Sequence, residues 1–280
     1  MAGPARMALA AAVLGLTAAV AACSSGSDAG GESETMPASV SATAGLDASP
    51  PAQPAEVCGG GPAVPAEPFW LSGARDTQLA AATVGTGSDV VVFVHQSGMS
   101  GLCGFWPYAV WLAQNRHLRA LLFDQCGYGA SFCERDSATK TDDWITSTKA
   151  AVAWARSHGA RRVTLVGASA GGVVVLHAAA SIQPPIDAVV DLSGPLTWSG
   201  LDSLTAARTL TVPVLYAVAP NDEYVTVADM RRVHAATGSR SKWLVQAESG
   251  HGWEMLTLPS LTGWSPLAAQ VAMVIEGTHR

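Results

Sequence analysis

The sequence contains few charged residues. Of its 280 residues, 14% are Asp, Glu, Lys or Arg, whereas 49% are hydrophobic, which is enough apolar material for a large core. Residues 1–57 hold one base and five acids, and residues 58–280 hold 15 bases and 17 acids. A domain this close to neutrality lacks the clustered Lys and Arg that displace counterions from a polyanion. The composition therefore excludes a fully disordered chain and argues against nucleic-acid binding.

The apolar stretch near the N-terminus is too short for a permanent membrane span. Residues 7–22 are uncharged, but 16 residues fall short of the ~20 that a transmembrane helix needs. Arg6 precedes this stretch, and the run Val20–Cys23 ends it with small residues before a cysteine, as in a cleaved secretory signal. That run resembles the bacterial lipobox, in which the cysteine becomes the lipidated N-terminus. We therefore predict a signal peptide over residues 1–22 and a lipid anchor at Cys23.

The segment after Cys23 lacks aromatic residues and hydrophobic periodicity. Residues 24–57 are mainly Ser, Ala, Gly and Pro, so they cannot bury a core. A flexible coil of this length reaches roughly 30 Å root-mean-square. We predict that residues 23–57 form a disordered tether, that residues 58–280 form the folded domain, and that the mature protein lies on the outer face of the bacterial cell membrane. A cleaved signal with an incidental cysteine is the alternative to the lipid anchor.

The sequence also lacks a Cys-x-x-Cys pair. The cysteines that remain besides Cys23 are spaced by 45, 23 and 7 residues, which matches no zinc-binding pattern. An even number of cysteines in an exported chain favours disulfide bonds over a metal site. Three pairings are possible, and spacing alone does not choose among them. The four candidates are Cys58, Cys103, Cys126 and Cys133.

From residue 89 onwards, short β-branched or Leu-rich runs alternate with segments of helical periodicity. These runs do not alternate apolar and polar residues, which is typical of parallel strands covered on both faces. The predicted strands are Asp89–His95, Arg119–Asp124, Arg162–Val166, Ala188–Leu192, Pro213–Val218 and Ser241–Gln246. The predicted helices cover about 105–116, 142–158, 170–182, 226–237 and 264–276. Residues 65–84 are predicted to add an antiparallel start to this α/β sheet.

One short motif points to chemistry. Residues 167–171 read Gly-Ala-Ser-Ala-Gly, but in a chain with 28 glycines the pattern Gly-x-Ser-x-Gly is weak without its context. The motif lies directly between a predicted strand and a predicted helix, which is the setting of a nucleophile elbow. Glycines on both sides allow so sharp a turn, because bulky side chains there would clash. Ser169 is therefore the candidate nucleophile, and an idle serine in a tight turn is the alternative.

A serine nucleophile needs a base, and the base needs a carboxylate that fixes its tautomer. Asp222 follows the predicted strand Pro213–Val218, and His251 follows the last predicted strand. The chain order Ser, Asp, His is that of the α/β-hydrolases and not that of trypsin-like or subtilisin-like proteases. Asp191, at the end of its own strand, is the alternative acid.

With these motifs the chain resembles the α/β-hydrolase superfamily over roughly residues 65–280. The segment His95–Gly98 resembles the oxyanion loop of that superfamily, and Phe123–Ser131 resembles its Asp-x-Arg-Gly-x-Gly-x-Ser segment. Two residues depart from the family pattern, because Gln96 replaces the usual Gly and Cys126 replaces the usual Arg.

The resemblance implies further assignments. The oxyanion donors would be the backbone N–H groups of Ser97 and Ala170. Because relatives place an Arg near the oxyanion loop at the position of Cys126, the resemblance also suggests that Cys126 pairs with Cys103. That pairing leaves Cys58 for Cys133.

Many members of the superfamily carry a large cap domain after the strand that here ends near Gly194. Only residues 195–211 precede the next strand, so we predict no cap and at most a short lid around 198–204. The sequence thus predicts a serine hydrolase that cleaves small-molecule or lipid-like carboxylic esters through an acyl-enzyme, without a metal or a cofactor. The alternatives are a thioesterase, peptidase or acyltransferase on the same triad, or a catalytically silent binding protein of this fold.

Overall fold

A computed structural model of the chain describes residues 49–59, 64–73, 77–98, 100–133, 140–260 and 263–280, without the side chains of 140–142. The predicted signal peptide, Cys23 and most of the predicted tether lie outside these residues. The described residues belong to the unit Asp47–Arg280. None of the helices described there is both long and apolar enough to cross a bilayer.

Eight strands form the central sheet. They are β1 (Ala66–Ser72), β2 (Gln78–Val84), β3 (Asp89–Val94), β4 (Arg119–Phe123), β5 (Arg162–Ala168), β6 (Ala188–Leu192), β9 (Val214–Val218) and β10 (Lys242–Gln246). Their spatial order is β1-β2-β4-β3-β5-β6-β9-β10. The pairs β1–β2 and β2–β4 are antiparallel, and every other pair is parallel. The predicted α/β class, with an antiparallel start, is confirmed.

The central strands are buried on both faces, which explains their continuous apolar runs. In β3, Val90, Val92 and Val94 point into one core, while Val91 and Phe93 point into the other. Successive side chains of a strand point to opposite faces of the sheet, so a strand covered on both faces needs apolar residues at every position.

Helices cover both faces of the sheet. The α-helices among the described residues are α1 (Pro54–Val57), α2 (Trp106–Arg116), α3 (Lys140–Ser157), α4 (Ala170–Ala179), α5 (Ser203–Thr209), α6 (Val227–Ala236) and α7 (Pro266–Glu276). Helices α3, α4, α5 and α6 contribute to one core, and α2 and α7 contribute to the other. The described residues also include 3₁₀ helices at Gly101–Gly104 and Gly252–Leu256.

No large cap follows β6. Between β6 and β9 the chain forms only α5 and a small hairpin of β7 (Thr197–Trp198) and β8 (Leu201–Asp202). Trp198 lies at 4.9 Å from the ring of Trp144 in α3. The hairpin is therefore packed against the domain beside the carboxyl ends of the strands.

The structured part of the chain extends into the segment predicted as a tether. Pro54 of α1 is buried, and the indole N–H of Trp70 donates to the carbonyl oxygen of Ser49 at 2.7 Å. These contacts hold Ser49 and Pro54 against the folded domain. The composition of the segment, which lacks aromatic residues, did not indicate such contacts.

The disulfide pairing expected from the resemblance is wrong. Cys58 bonds to Cys103 with a Cα–Cα distance of 5.1 Å, and Cys126 bonds to Cys133 with a Cα–Cα distance of 5.6 Å. The sheet itself keeps the two pairs apart, because Cys58 and Cys103 pack against one core and Cys126 and Cys133 against the other. The pairs predicted from the resemblance would have had to connect opposite faces of the sheet.

Candidate active site

Ser169 lies in a strained turn between β5 and α4. Its backbone adopts φ 50° and ψ −117°, a conformation that L-residues rarely take and that is common at functional turns. The turn is held by the Ser169 N–H, which donates to the carbonyl oxygen of Leu192 at 2.8 Å, and by the Gly172 N–H, which donates to the carbonyl oxygen of Ser169 at 2.8 Å. Ser169 is partly exposed at the end of the strand.

Both flanking glycines are required by close backbone contacts. A Cβ at Gly167 would meet the carbonyl group of Gly171, and a Cβ at Gly171 would meet the carbonyl oxygens of Val94 and His95. Any other residue at either position would push the strand, the helix or the loop after β3 apart. The structure thus agrees with the sequence prediction that a side chain at either glycine would clash.

His251 and Asp222 form a direct hydrogen bond. The Nδ1 atom of His251 lies at 2.9 Å from Oδ2 and at 3.0 Å from Oδ1 of Asp222. A carboxylate only accepts hydrogen bonds, so Nδ1 carries the proton and neutral His251 keeps a lone pair on Nε2. The Asp222 side chain is fully buried and that of His251 is 13% exposed. This arrangement provides a base whose tautomer is set by a buried acid.

The environment of Asp222 keeps it ionised. Burial raises the pKa of Asp222, but hydrogen bonds from His251, from the Ser193 side chain and from two backbone N–H groups outweigh burial and leave that pKa below its usual value. The backbone donors are Tyr224 at 2.9 Å and Val225 at 3.0 Å, both to Oδ1. Asp222 is therefore ionised at neutral pH and can accept the Nδ1 proton of His251.

Asp191, the alternative acid, has different partners. Its Oδ1 accepts the N–H of Gly194 at 2.7 Å, and its Oδ2 has no partner among the described residues. A Cβ at Gly172 or Gly194 would meet this carboxyl group, so it is enclosed on both sides. Complete burial raises the pKa of Asp191 to about 7. The hydrogen bond to His251 therefore favours Asp222 as the orienting acid.

The loop after β3 crosses the N-terminus of α4. The close approach of Val94 and His95 to Gly171 places this loop beside Ala170, the first residue of the helix, whose N–H has no carbonyl partner within the helix. Ser97 lies in the same loop and is exposed. The arrangement is compatible with the two N–H donors expected from the resemblance, Ser97 and Ala170, whose role stays a prediction.

The side chain of Gln96 lies next to the segment that carries His251. Its Oε1 atom lies against Gly252, the residue after His251, and the Cβ of Ala168, the residue before Ser169, lies against the same glycine. The Oε1 atom of Gln96 is buried without a partner among the described residues. A glycine at position 96, usual in the family, would leave the space beside Gly252 empty.

Two buried residues, Asp124 and His95, hold the loops together, and the sequence predicted a supporting role only for His95. The buried Asp124 accepts the N–H of Leu102 at 2.7 Å, and burial raises its pKa to about 6. His95 accepts the N–H of Gln125 on Nε2 at 3.0 Å and donates from Nδ1 to the carbonyl oxygen of Gln96 at 2.7 Å. Burial lowers the pKa of His95 to about 4, so this histidine is neutral and supports the loop.

Ser193 is, with Asp124, a residue whose role the sequence did not reveal. It is fully buried after β6 and has φ 58°; its hydroxyl donates to Sδ of Met255 at 3.6 Å, and its side chain helps to lower the pKa of Asp222. Only its position at a strand end next to β9 could have pointed to it, and many serines in the chain share that kind of setting. In the part of the chain that the structure describes, no three His, Cys, Asp or Glu side chains are grouped to hold a metal ion.

Comparisons with known proteins agree with this fold. The family model described as serine aminopeptidase, S33, matches residues 87–221, which include Ser169 but end before Asp222. An esterase from Pyrococcus furiosus superposes with a TM-score of 0.65 at 13% identity, over 76% of this chain and 93% of the esterase.

Two further solved structures are similar over almost their whole length. The enol-lactonase from Burkholderia xenovorans has a TM-score of 0.59 at 14% identity, over 74% of this chain and 99% of the lactonase. A putative dienelactone hydrolase from Klebsiella pneumoniae has a TM-score of 0.58 at 18% identity, over 75% of this chain and 95% of that protein. No curated protein matches the sequence. Together the matches show the α/β-hydrolase fold.

Proposed function

We propose that this chain, an α/β-hydrolase-fold protein, is a serine hydrolase that cleaves carboxylic esters through an acyl-enzyme. The observation that carries the proposal is the combination of Ser169 in a strained elbow with a His251–Asp222 hydrogen bond of 2.9 Å. These residues follow β5, β9 and β10, whose carboxyl ends lie on the same edge of the sheet.

The proposed reaction begins with proton transfer from the Ser169 hydroxyl to Nε2 of His251 as the serine oxygen attacks the ester carbonyl. Backbone N–H groups of Ala170 and Ser97 stabilise the negative oxygen of the tetrahedral intermediate. His251 then gives its proton to the leaving alcohol, and Asp222 stabilises the imidazolium in between. A water molecule then attacks the acyl-enzyme and gives a proton to His251. His251 returns that proton to the Ser169 oxygen as the carboxylic acid is released.

A peptidase is the second candidate, because the matching family model is described as serine aminopeptidase. The same triad can attack an amide, whose amine leaves less readily than an alcohol. The ratio of ester to anilide hydrolysis with a matched acyl group distinguishes the two functions. Rates on aminoacyl anilides that exceed those on simple esters would favour the peptidase.

We also propose that the enzyme is exported and held on the outer face of the cell membrane by a lipid on Cys23. The proposal rests on the sequence before and after that cysteine. An enzyme tethered in this way would act on ester substrates that reach the cell surface, either small molecules or lipid-like esters.

A fluorophosphonate probe tests the proposed chemistry directly. We expect the wild-type protein to be labelled and Ser169→Ala to be unlabelled and inactive on a short-chain ester. The hydroxyl lies at a partly exposed turn, so its removal should leave the melting temperature nearly unchanged. Full ester turnover by Ser169→Ala would refute the proposal, and His251→Ala provides a second test with the nucleophile intact.

A further inference from the structure

One aromatic side chain at the proposed active site is unusually exposed. Among the described residues the exposed large hydrophobic side chains are Val57 (58%), Phe132 (60%) and Tyr224 (75%). Of these, Tyr224 contacts the proposed catalytic base: its ring lies at 4.7 Å from the ring of His251, with 54° between the planes.

The backbone of Tyr224 is fixed even though its ring is exposed. Its N–H donates to Oδ1 of Asp222 at 2.9 Å, and the next N–H, of Val225, donates to the same atom. The backbone thus places the ring beside His251, while most of the Tyr224 side chain stays exposed to solvent. A tyrosine that only filled the core would be buried.

The chemistry of the proposed reaction identifies what lies on that side of His251. Because Nδ1 is occupied by the buried Asp222, only Nε2 remains to protonate the leaving alcohol. The alcohol oxygen must then lie within about 2.6–3.2 Å of Nε2. A ring packed on the imidazole therefore borders the place from which the alcohol departs.

We propose that Tyr224 forms an alcohol-side subsite that binds flat, aromatic leaving groups of the ester. The inference rests on the proposed ester hydrolysis and adds the class of alcohol to it. Aromatic rings pair favourably with one another beyond their buried area, and the exposed face of Tyr224 supplies such a partner.

The charge around the subsite further restricts the class of alcohol that it can bind. Residues 219–226 and 247–257, which carry the acid and the base, contain no Lys or Arg. Glu223, Glu248 and Glu254 on these segments are exposed, and Oε2 of Glu254 lies at 3.4 Å from the His251 N–H. Carboxylate-bearing alcohols would be repelled, so the subsite fits neutral aromatic alcohols.

Three esters of one acyl chain test the subsite: benzyl, cyclohexylmethyl and methyl. The value of kcat/KM includes only steps up to acylation, in which the alcohol is still bound. We expect Tyr224→Ala to lower kcat/KM for the benzyl ester about 3- to 10-fold, the range of an aromatic pair. The cyclohexylmethyl and methyl esters should change less than about 2-fold, because neither can form that pair.

Two controls separate the subsite from a general effect. Tyr224→Phe keeps the ring and should keep the preference for the benzyl ester. Phe132→Ala removes the other exposed aromatic ring and should leave the ratio of benzyl to methyl ester rates unchanged. Deacylation, measured on the acyl-enzyme common to all three esters, should be the same in wild type and Tyr224→Ala.

The outcomes distinguish this inference from the proposed function. If Tyr224→Ala slows all three esters equally and moves the pH profile, Tyr224 positions His251 and the subsite is refuted. If the ratio of benzyl to methyl rates does not change while Ser169→Ala is inactive, only the subsite is refuted. If the folded wild-type protein hydrolyses none of the esters, the proposed function fails and the subsite fails with it.

Discussion

At the scale of single residues, the site is defined by two aspartates with opposite surroundings. Asp222 accepts hydrogen bonds from His251, Tyr224 and Val225 and its pKa is lowered, whereas Asp191 accepts one, from Gly194, and burial raises its pKa to about 7. Asp191 lies near the carboxyl end of β6 and Asp222 follows β9 at the same edge of the sheet, so their positions in the sequence do not show which of them orients His251. Their hydrogen bonds do.

Asp222→Asn should therefore lower kcat on an ester by about 10⁴-fold, as the equivalent change does in a serine protease by favouring the wrong imidazole tautomer. Asp191→Asn should change kcat by less than about 10-fold, because it does not touch His251. Both variants are assayed on one short-chain ester at pH 8. A crippled Asp191→Asn beside an active Asp222→Asn would mean that the acid is misassigned.

The stability of Asp191→Asn should depend on pH in a defined direction. The folded chain holds a proton on Asp191 up to about pH 7, whereas unfolded Asp loses it near the ordinary value of about 3.9, so wild-type stability falls as pH rises between these values. The asparagine variant lacks this loss. Its free energy of unfolding relative to wild type should be on the order of 2–3 kcal/mol higher at pH 8 than at pH 5.

Urea denaturation of both proteins at the two pH values measures this difference. Groups shared by wild type and variant cancel in the comparison. A difference that does not vary with pH would show that Asp191 is ionised in the folded protein.

At the scale of elements, each disulfide serves a different part of the molecule. Cys58–Cys103 joins residues 45 apart and ties α1 to the domain, whereas Cys126–Cys133 joins residues 7 apart. The short loop carries Tyr128, whose hydroxyl accepts the Gly98 N–H at 3.3 Å and whose ring packs on His95 at 4.5 Å.

We expect the long-range bond to matter more for stability and the short one more for activity. Loop-closure entropy assigns about 4 kcal/mol to Cys58–Cys103 and about 2.5 kcal/mol to Cys126–Cys133. The double variant Cys126→Ser/Cys133→Ser should lose on the order of 10-fold in kcat/KM, because the oxyanion loop loses its support. The double variant Cys58→Ser/Cys103→Ser should lose more of the urea midpoint and retain more activity; the reverse order would contradict this division.

The sequence predicted elements well and contacts between them poorly. Strands such as β3 and β5 were evident because burial on both faces requires continuous apolar runs, and the elbow was evident because Gly167 and Gly171 are needed at fixed spacing. The cysteine pairing was not evident from the sequence, because it depends on which face of the sheet each loop packs against. Ser193 and Asp124 were missed for the same reason: their partners are distant in the chain.

At the scale of the whole molecule, the predicted signal peptide and Cys23 imply that the proposed enzyme acts at the outer face of the membrane. Cys23→Ser should release the protein from the membrane fraction, because the acylated thiol would be its anchor. The measurement is fractionation together with labelling by a radioactive fatty acid, with Ser169→Ala as a control that should stay anchored. Unchanged membrane retention without loss of label would contradict lipidation at this residue.

The position of β10 determines when the proposed triad is complete during synthesis of the chain. This strand is the last in the chain, lies at the edge of the sheet and pairs only with β9, yet the proposed base follows it. A chain that lacks residues 242–280 carries the proposed nucleophile Ser169 but lacks the proposed base His251. The proposed triad would therefore be complete only once the C-terminal edge of the sheet is present, and a partial chain without that edge would be inactive.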